Sequence, residues 1–369
     1  MNTNTYEDKR MIMTLDAGGT NFVFSAIRSN TEIIEPISKR AFPEDLQKTL
    51  DMMIAGFEEV KKNLKGDPEA ISFAFPGPAD YPEGIIGNLP NFKAFTGDVP
   101  LGPMLEDHFK IPVYINNDGN LFAYGEALAG YLPELNKRLK ESGSLKQYNS
   151  LIGFTLGTGF GAGIVLDKKM LVGNSSSGAE IHNTLNPWDP GWNAEESVST
   201  RAIQRVYAEE AGIPVDKNLM PRDIYAIANG TSDGFVEAAR TSFQQFGKSL
   251  GNSVANAISL IDALVVLGGG ITAAWDLFAP AMFEEINRTY TDYEGNVFPR
   301  LSYKVYNLED PSEFRKFAEG SINAVRVPGS GRTIKYDNLP RNGIGLSKLG
   351  ASQAIALGAY AFALQQLDS

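Results

Sequence analysis

Hydrophobic residues in the first part of the chain come in short runs divided by glycine: MIMTL (11–15), DAGGTN, FVFSAI (22–27) and TEIIEPI (31–37). Such runs, bounded by turn residues, predict a β-meander whose first turn is tight. Across 45–64 the period changes. Leu46, Leu50, Met53, Ile54, Phe57, Val60 and Leu64 stand mostly three or four apart, the spacing of one buried helix face. ISFAF (71–75) and VYI (113–115) read as buried strands, and residues 119–129 as a short helix following the second.

A polar, Lys-rich stretch with Gly and Ser, roughly 133–150, then separates this half from another. The second half opens as the first does. LIGFTL (151–156), GTGFGAG and IVL (164–166) repeat the order strand, Gly-rich turn, strand, which predicts two lobes of related construction. Helices are expected at about 196–211, 221–229 and 232–260, then the strand ALVVL, then GGGIT opening another helix. YKVYNL reads as a strand, and VPGSGRTIKYDNLPRNG as a long surface loop within an extra segment at about 308–343. The closing ASQAIALGAYAFALQQL reads as an amphipathic helix. The expected division is a small N-terminal lobe over 1–130 and a large lobe over 131–351, with the last helix, about 352–369, packing back on the small lobe.

Composition narrows the function. With 369 residues, 43% of them hydrophobic, the chain can bury a substantial core, and its length favours two lobes with a cleft. The net charge is −11 and the longest basic runs are pairs, such as Lys61-Lys62 and Lys168-Lys169, so no nucleic-acid partner is expected. No apolar run approaches the roughly 18 residues that span a bilayer, and the start MNTNTYEDKR lacks the order of a signal peptide, so the expectation is a soluble, cytoplasmic protein without membrane contact. With no cysteine there is no disulfide, thiolate nucleophile or thiolate zinc site, and two histidines leave little for a His-rich metal centre.

Three Gly-rich turns each follow a hydrophobic strand: Asp16-Ala17-Gly18-Gly19-Thr20, Gly157-Thr158-Gly159-Phe160-Gly161 and Gly268-Gly269-Gly270. Glycine lets successive backbone N–H groups approach an anion, though each turn taken alone reads equally as a plain tight turn. No GxxxxGK[ST] occurs. GTGFGA (157–162) and GGGITA (268–273) match the loose dinucleotide fingerprint, but a strand-like IVL follows the first where a helix is required, and the second lacks a following strand ending in an acid.

Taken in order, LDAGGTN, FPGP, NND, LGTGFGAG and LGGG resemble the ROK family of sugar kinases, within the actin/hexokinase/Hsp70 superfamily, over about residues 11–365. The resemblance implies an α/β protein of two RNase H-like lobes, the actin-like ATPase fold, with ATP and sugar meeting in the cleft between them. It implies that Gly18, Gly19, Thr20 and Asn21, with Gly157, Thr158 and Gly159, face the ATP phosphates, and that Gly268, Gly269 and Gly270 lie by the adenosine. Members often carry Lys where this chain has Asn21.

The same resemblance puts Asp118 in the place of the base that takes the proton from the attacking sugar hydroxyl. From spacing alone, Asp118 reads as a cap for the helix beginning at Gly119. Asp16 falls near Mg²⁺, through water, an ion that needs only one or two carboxylates; the other reading is a turn-stabilising Asp. Gly77, Asn88, Asn91 and Asn117 fall on the sugar side, where polar groups must pair with ring hydroxyls. Members are often homodimers.

Residues 174–199 depart from the family, which usually shows GExGH, a Cys-rich zinc loop ending CxE, and a Ser four residues after that Glu. Here Gly178-Ala179-Glu180-Ile181-His182 brings the histidine one residue early, the cysteines are missing, and Glu195 stands four before Ser199. Glu180 and Glu195 are the implied sugar contacts; His182 either joins them or is an ordinary polar residue at an element's end. A structural zinc needs four ligands, so none is expected, and Pro187, Trp188, Pro190 and Trp192 are expected to stiffen the loop by burying aromatic area. The implied activity is transfer of the ATP γ-phosphoryl group, with Mg²⁺, to a hydroxyl of a hexose or N-acetylhexosamine. The alternative is a catalytically inactive sugar sensor without a DNA-binding domain, the first phosphate motif beginning ten residues in.

Overall fold

The computed structural model describes residues 5–18, 21–89 and 92–369. Gly19, Thr20 and Asn91, each named above, lie outside the described residues. The first half of the chain runs β1 (Ile12–Ala17), β2 (Asn21–Arg28), β3 (Thr31–Glu32), β4 (Ile37–Arg40), α1 (Leu46–Asn63), β5 (Ala70–Ala74), β6 (Ala79–Asp80), β7 (Ile85–Ile86), α2 (Leu101–Phe109), β8 (Val113–Asn116), α3 (Asp118–Leu128) and α4 (Tyr131–Glu141). The second continues β9 (Leu151–Leu156), β10 (Phe160–Leu166), β11 (Lys169–Met170), α5 (Thr200–Ala211), α6 (Pro221–Ala228), α7 (Val236–Ile261), β12 (Leu264–Gly268), α8 (Trp275–Ile286), β13 (Thr289–Thr291), β14 (Val297–Pro299), β15 (Lys304–Asn307), α9 (Pro311–Glu319), β16 (Ile322–Arg326), β17 (Thr333–Asp337), β18 (Arg341–Leu346) and α10 (Ala351–Leu367). Contacts divide the chain into one unit of residues 1–133, 163–179 and 348–369 and a second of residues 134–162 and 180–347.

In the first unit the sheet order is β3-β2-β1-β5-β8, with β4 also on β2; β1 pairs antiparallel with β2 and parallel with β5, which pairs parallel with β8. The two-residue period of a strand sorts its side chains between faces. Met13 and Leu15 of β1, with Ile71 and Phe73 of β5, join a core with Phe22, Phe24, Phe57 of α1 and Leu105 of α2. Ile12 and Ala70 face the other way, onto Leu357, Tyr360 and Leu364 of α10. Burying a phenylalanine such as Phe57 contributes about 1.5–3 kcal/mol.

In the second unit β10-β9-β12-β18-β15 are neighbours, with β9, β12, β18 and β15 mutually parallel. Leu264, Val265, Val266 and Leu267 of β12 are wholly buried, as an inner parallel strand covered on both faces requires. Among the described residues no helix is long and apolar enough to cross a membrane.

Four local expectations change. The Lys-rich stretch 133–150 is not simply a separator, because α4 covers its first half, burying Tyr131, Leu132, Leu135 and Leu139 while its lysines face solvent. The run expected as a surface loop instead holds the turn and second strand of the β16–β17 hairpin and then enters β18, an inner strand. Its polar residues are anchored: the buried Arg341 guanidinium pairs with Asp337 at 2.7 Å, and Asn342 donates to the Ala263 carbonyl at 2.8 Å. The helix expected from about 196 begins at Thr200, after a 3-10 turn over Ala194–Glu196. The last helix is not amphipathic. From Leu357 to Ala361 every residue is buried, because α3 packs on the side that the sheet leaves open.

Candidate active site

Parallel β1, β5 and β8 of the first unit deliver three turns at their shared carboxyl ends, where open α/β sheets bind ligands. β1 ends at Asp16, exposed, and Ala17. Gly18 follows, where a Cβ would lie 2.8 Å from the Asn21 carbonyl, so the turn closes only on glycine. Asn21 opens β2 and is exposed. At the end of β5, Gly77 is half-buried, and Tyr81 donates to the Phe75 carbonyl at 2.9 Å, tying the turn back to its strand. Asn88 is exposed and its Oδ1 accepts from the Gly97 N–H at 2.7 Å.

β8 ends at Asn116, buried, whose Oδ1 accepts from the Asn117 N–H at 2.8 Å and from Asn120 Nδ2 at 3.1 Å. Asn117 is the N-cap of α3, accepting from the Gly119 N–H at 2.8 Å. The cap suggested for Asp118 thus belongs to its neighbour. Asp118 is the first residue of α3, and its Oδ1 accepts from the same Gly119 N–H at 2.8 Å. Asp118 is exposed to solvent, although protein atoms crowd around its carboxyl. That desolvation raises its carboxyl above the ordinary value, against the lowering effect of the Gly119 and Asp118 backbone N–H groups. The carboxylate is exposed, which leaves it accessible to a substrate hydroxyl.

In the second unit β9 and β12 lie parallel with Thr155 opposite Gly268, so their glycine turns leave the sheet side by side. Gly157 donates to the Gly159 carbonyl at 3.1 Å, and its own carbonyl accepts from the Thr200 N–H at 2.8 Å and Thr200 Oγ1 at 3.1 Å. The N-terminus of α5 therefore holds the turn, with Thr158 exposed at its tip. Gly269 has φ +96 and ψ 167, a region that only glycine occupies comfortably, and a Cβ there would meet the Leu156 carbonyl at 2.3 Å. Gly268 is buried and Gly270 exposed, at the start of a 3-10 turn over Gly270–Ala274.

The 180–199 segment brings its acids together differently from one another. Glu180 pairs with His182 Nδ1 at 2.9 Å, both half-buried, His182 lying within a 3-10 turn over Ile181–Asn183. Glu195 reaches the second glycine turn: Oε2 accepts from the Phe160 N–H at 2.9 Å and Oε1 from Arg201 Nη2 at 2.8 Å. Arg201 also grips Glu196 at 2.7 Å, and that pairing holds the Glu196 carboxyl below its ordinary value. The tryptophans bury only part of their area, Trp188 being 57% exposed and Trp192 38%, yet each is tied to a helix: Trp188 Nε1 donates to Ser249 Oγ of α7 at 2.7 Å, and the Arg205 guanidinium of α5 lies over the Trp192 ring. Arg201 and Thr200 escaped the sequence reading. The signal available was a cation six residues after Glu195 at the start of a helix, within reach of a preceding acid.

Similarity to known proteins agrees with this arrangement. The sequence profile of the ROK family matches residues 12–305. A solved glucokinase from Parabacteroides distasonis is 47% identical, with a TM-score of 0.89 over 98% of this chain and 99% of that one. A glucokinase from Halalkalibacterium halodurans is 27% identical over 353 residues, 88% of this chain and 95% of that protein. A xylose repressor from Caldicellulosiruptor bescii is 26% identical over 280 residues, of which the chain spans 64% of the repressor's length. Two sheets built on parallel strands, each releasing glycine turns at its carboxyl edge, constitute the actin-like ATPase fold, as expected. Within that fold the chain belongs to the ROK family, among its carbohydrate kinases.

Proposed function

We propose that the chain transfers the γ-phosphoryl group of ATP to a hydroxyl of a hexose, with Asp118 as general base. The observation that carries this reading is the Asp118 carboxyl itself: it opens α3 just beyond the end of parallel β8, exposed for a substrate to reach, while crowding protein atoms raise its pKa. A raised pKa makes a carboxylate a stronger base. It accepts the hydroxyl proton as the sugar oxygen bonds to the γ-phosphorus and the bond from that phosphorus to the β,γ-bridging oxygen breaks, releasing ADP. The backbone donors after β9 and β12 serve the nucleotide, and Gly77, Asn88, Asn117, Glu180, His182 and Glu195 the sugar.

Asp16 suits Mg²⁺, since an exposed carboxylate at a strand end can hold the ion through its own waters, and the ion would neutralise phosphate charge. The 47% identity to a glucokinase supports glucose as the first sugar to assay, with N-acetylhexosamines beside it. Asp118→Asn in a coupled ADP assay is expected to lose turnover by a factor of about 10² or more, the scale of a positioned base. Near wild-type turnover would refute the mechanism. The similarity to a repressor motivates the competing reading, a sugar sensor; sugar binding without ADP release across a panel of free sugars would select it.

A further inference from the structure

The ROK family implies a zinc-held sugar loop, and the residues present do not fit one. The chain has no cysteine, and among the described residues no group of three or more His, Asp or Glu stands close enough to hold a metal ion. The middle of the loop is occupied by an amide instead. We infer that Asn186 is the positioning residue that organises the 180–199 loop in place of a metal, and through it sets the sugar-facing acids.

Asn186 is only 3% exposed, and all four of its hydrogen-bonding positions are used. Nδ2 donates to the Asn193 carbonyl at 2.9 Å and to Ser197 Oγ at 2.8 Å, while Oδ1 accepts from the N–H groups of Trp188 at 2.9 Å and Asp189 at 3.3 Å. Backbone partners fix which end is which: two are N–H donors and one is a carbonyl, so the amide has a single sense. Like a metal, it ties together points distant along the loop, here 188–189, 193 and 197.

From this hub the constraint reaches both acids. Ala194 donates to the Thr184 carbonyl at 2.8 Å and Leu185 bridges Asn193, closing the loop on itself. Thr184 in turn donates to the Ile181 carbonyl at 3.1 Å, completing the turn that carries His182 beside Glu180. On the other side Asn193 caps the turn of Ala194–Glu196, its Oδ1 accepting from the Glu196 N–H at 3.3 Å, and so places Glu195. Aspartate could not donate to the Asn193 carbonyl, and alanine would remove all four bonds of the amide at once.

The catalytic readout rests on the sugar-kinase reading; the spectroscopic one does not. Asn186→Ala is expected to raise the sugar KM by about tenfold or more, the scale of one lost buried hydrogen bond, with the ATP KM within about twofold. Asn186→Asp should follow the same direction, and Ser197→Ala, which removes one partner only, should give a smaller rise. Trp188 and Trp192 are two of the chain's three tryptophans, so acrylamide quenching of fluorescence should increase in Asn186→Ala. Sugar and ATP KM rising together, an unchanged sugar KM, or stoichiometric zinc in the purified wild type would each overturn the inference. Should the wild type turn over no sugar, the kinase reading fails while quenching still decides: unchanged quenching in the variant sinks the hub.

Discussion

Gly269 and Gly270 are adjacent and chemically identical, yet the backbone treats them oppositely. Gly269 stands at φ +96 with a carbonyl 2.3 Å from where its Cβ would go, whereas Gly270 would meet nothing within 4 Å. Gly269→Ala is therefore expected to lower stability by about 1–3 kcal/mol, the cost of a Gly-only backbone region, and, on the proposed nucleotide role of this turn, to raise the ATP KM, because the turn must shift off Leu156. Gly270→Ala should change stability by less than about 0.5 kcal/mol. Denaturant titration and ATP saturation curves on the pair check both, and equal effects would show that the turn is not held as tightly as its geometry indicates. At this scale the sequence exposed what lies at strand ends: Asp16, Asp118 and the glycines announce themselves by position after an apolar run. It concealed pairings that span a loop. Nothing in the residues around Glu195 reveals that its carboxylate reaches the Phe160 N–H, 35 residues away, and nothing around Asn186 marks it as buried.

The contact of α3 with α10 is where an element's placement becomes chemistry. A Cβ on Gly125 of α3 would lie 1.9 Å from the Ala354 carbonyl, and one on Gly358 of α10 would lie 1.9 Å from the Leu121 carbonyl. The two helices touch backbone to backbone, and Tyr124 adds a hydrogen bond to Gln365 at 2.7 Å. Leu121 stands one turn from Asp118 on the same helix, so α10 sets the depth at which Asp118, the proposed base, is presented. Gly358→Ala should overpack this contact at about 1–3 kcal/mol, and it should lower kcat at temperatures where the variant is still folded. Thermal unfolding with kcat measured well below the transition separates the two effects; a stable variant with unchanged kcat would show that α10 does not position α3. The two helices differ in how they could be read. The apolar length of α10 marked it as a helix, but its all-round burial depends on α3 covering it, a long-range fact. In α4 and β18 the signal was present and masked: Tyr131, Leu132, Leu135 and Leu139 form a helical stripe among lysines, and RNGIGL hides an inner strand because Arg341 and Asn342 are buried with partners that periodicity does not show.

For the molecule as a whole, Asp118 links function to folding stability with a definite sign. Its carboxyl is raised in the folded state, so the ionised form is the one folding disfavours. Below the ordinary carboxylate value both folded and unfolded chains hold the proton and no cost arises. As pH climbs through the raised value, the folded chain must ionise a desolvated group that the unfolded chain ionised earlier, and the stability associated with the protonated form is lost. At neutral pH Asp118 therefore subtracts from stability, as residues committed to chemistry often do. Asp118→Asn retains an oxygen that can accept from the Gly119 N–H and removes the charge. It should melt at a higher temperature than the wild type at pH 7, with the gap closing as the pH falls below the raised carboxyl value. On the proposed mechanism only the ionised form takes the sugar proton, so the wild-type kcat/KM should fall as the pH drops through the raised value, with a midpoint above the ordinary carboxylate value. Scanning calorimetry of both proteins across acid pH tests the sign directly. A variant that melts lower than the wild type at pH 7 would mean that the Asp118 charge stabilises the start of α3, in which case it is a helix-terminus residue and the base must be sought elsewhere.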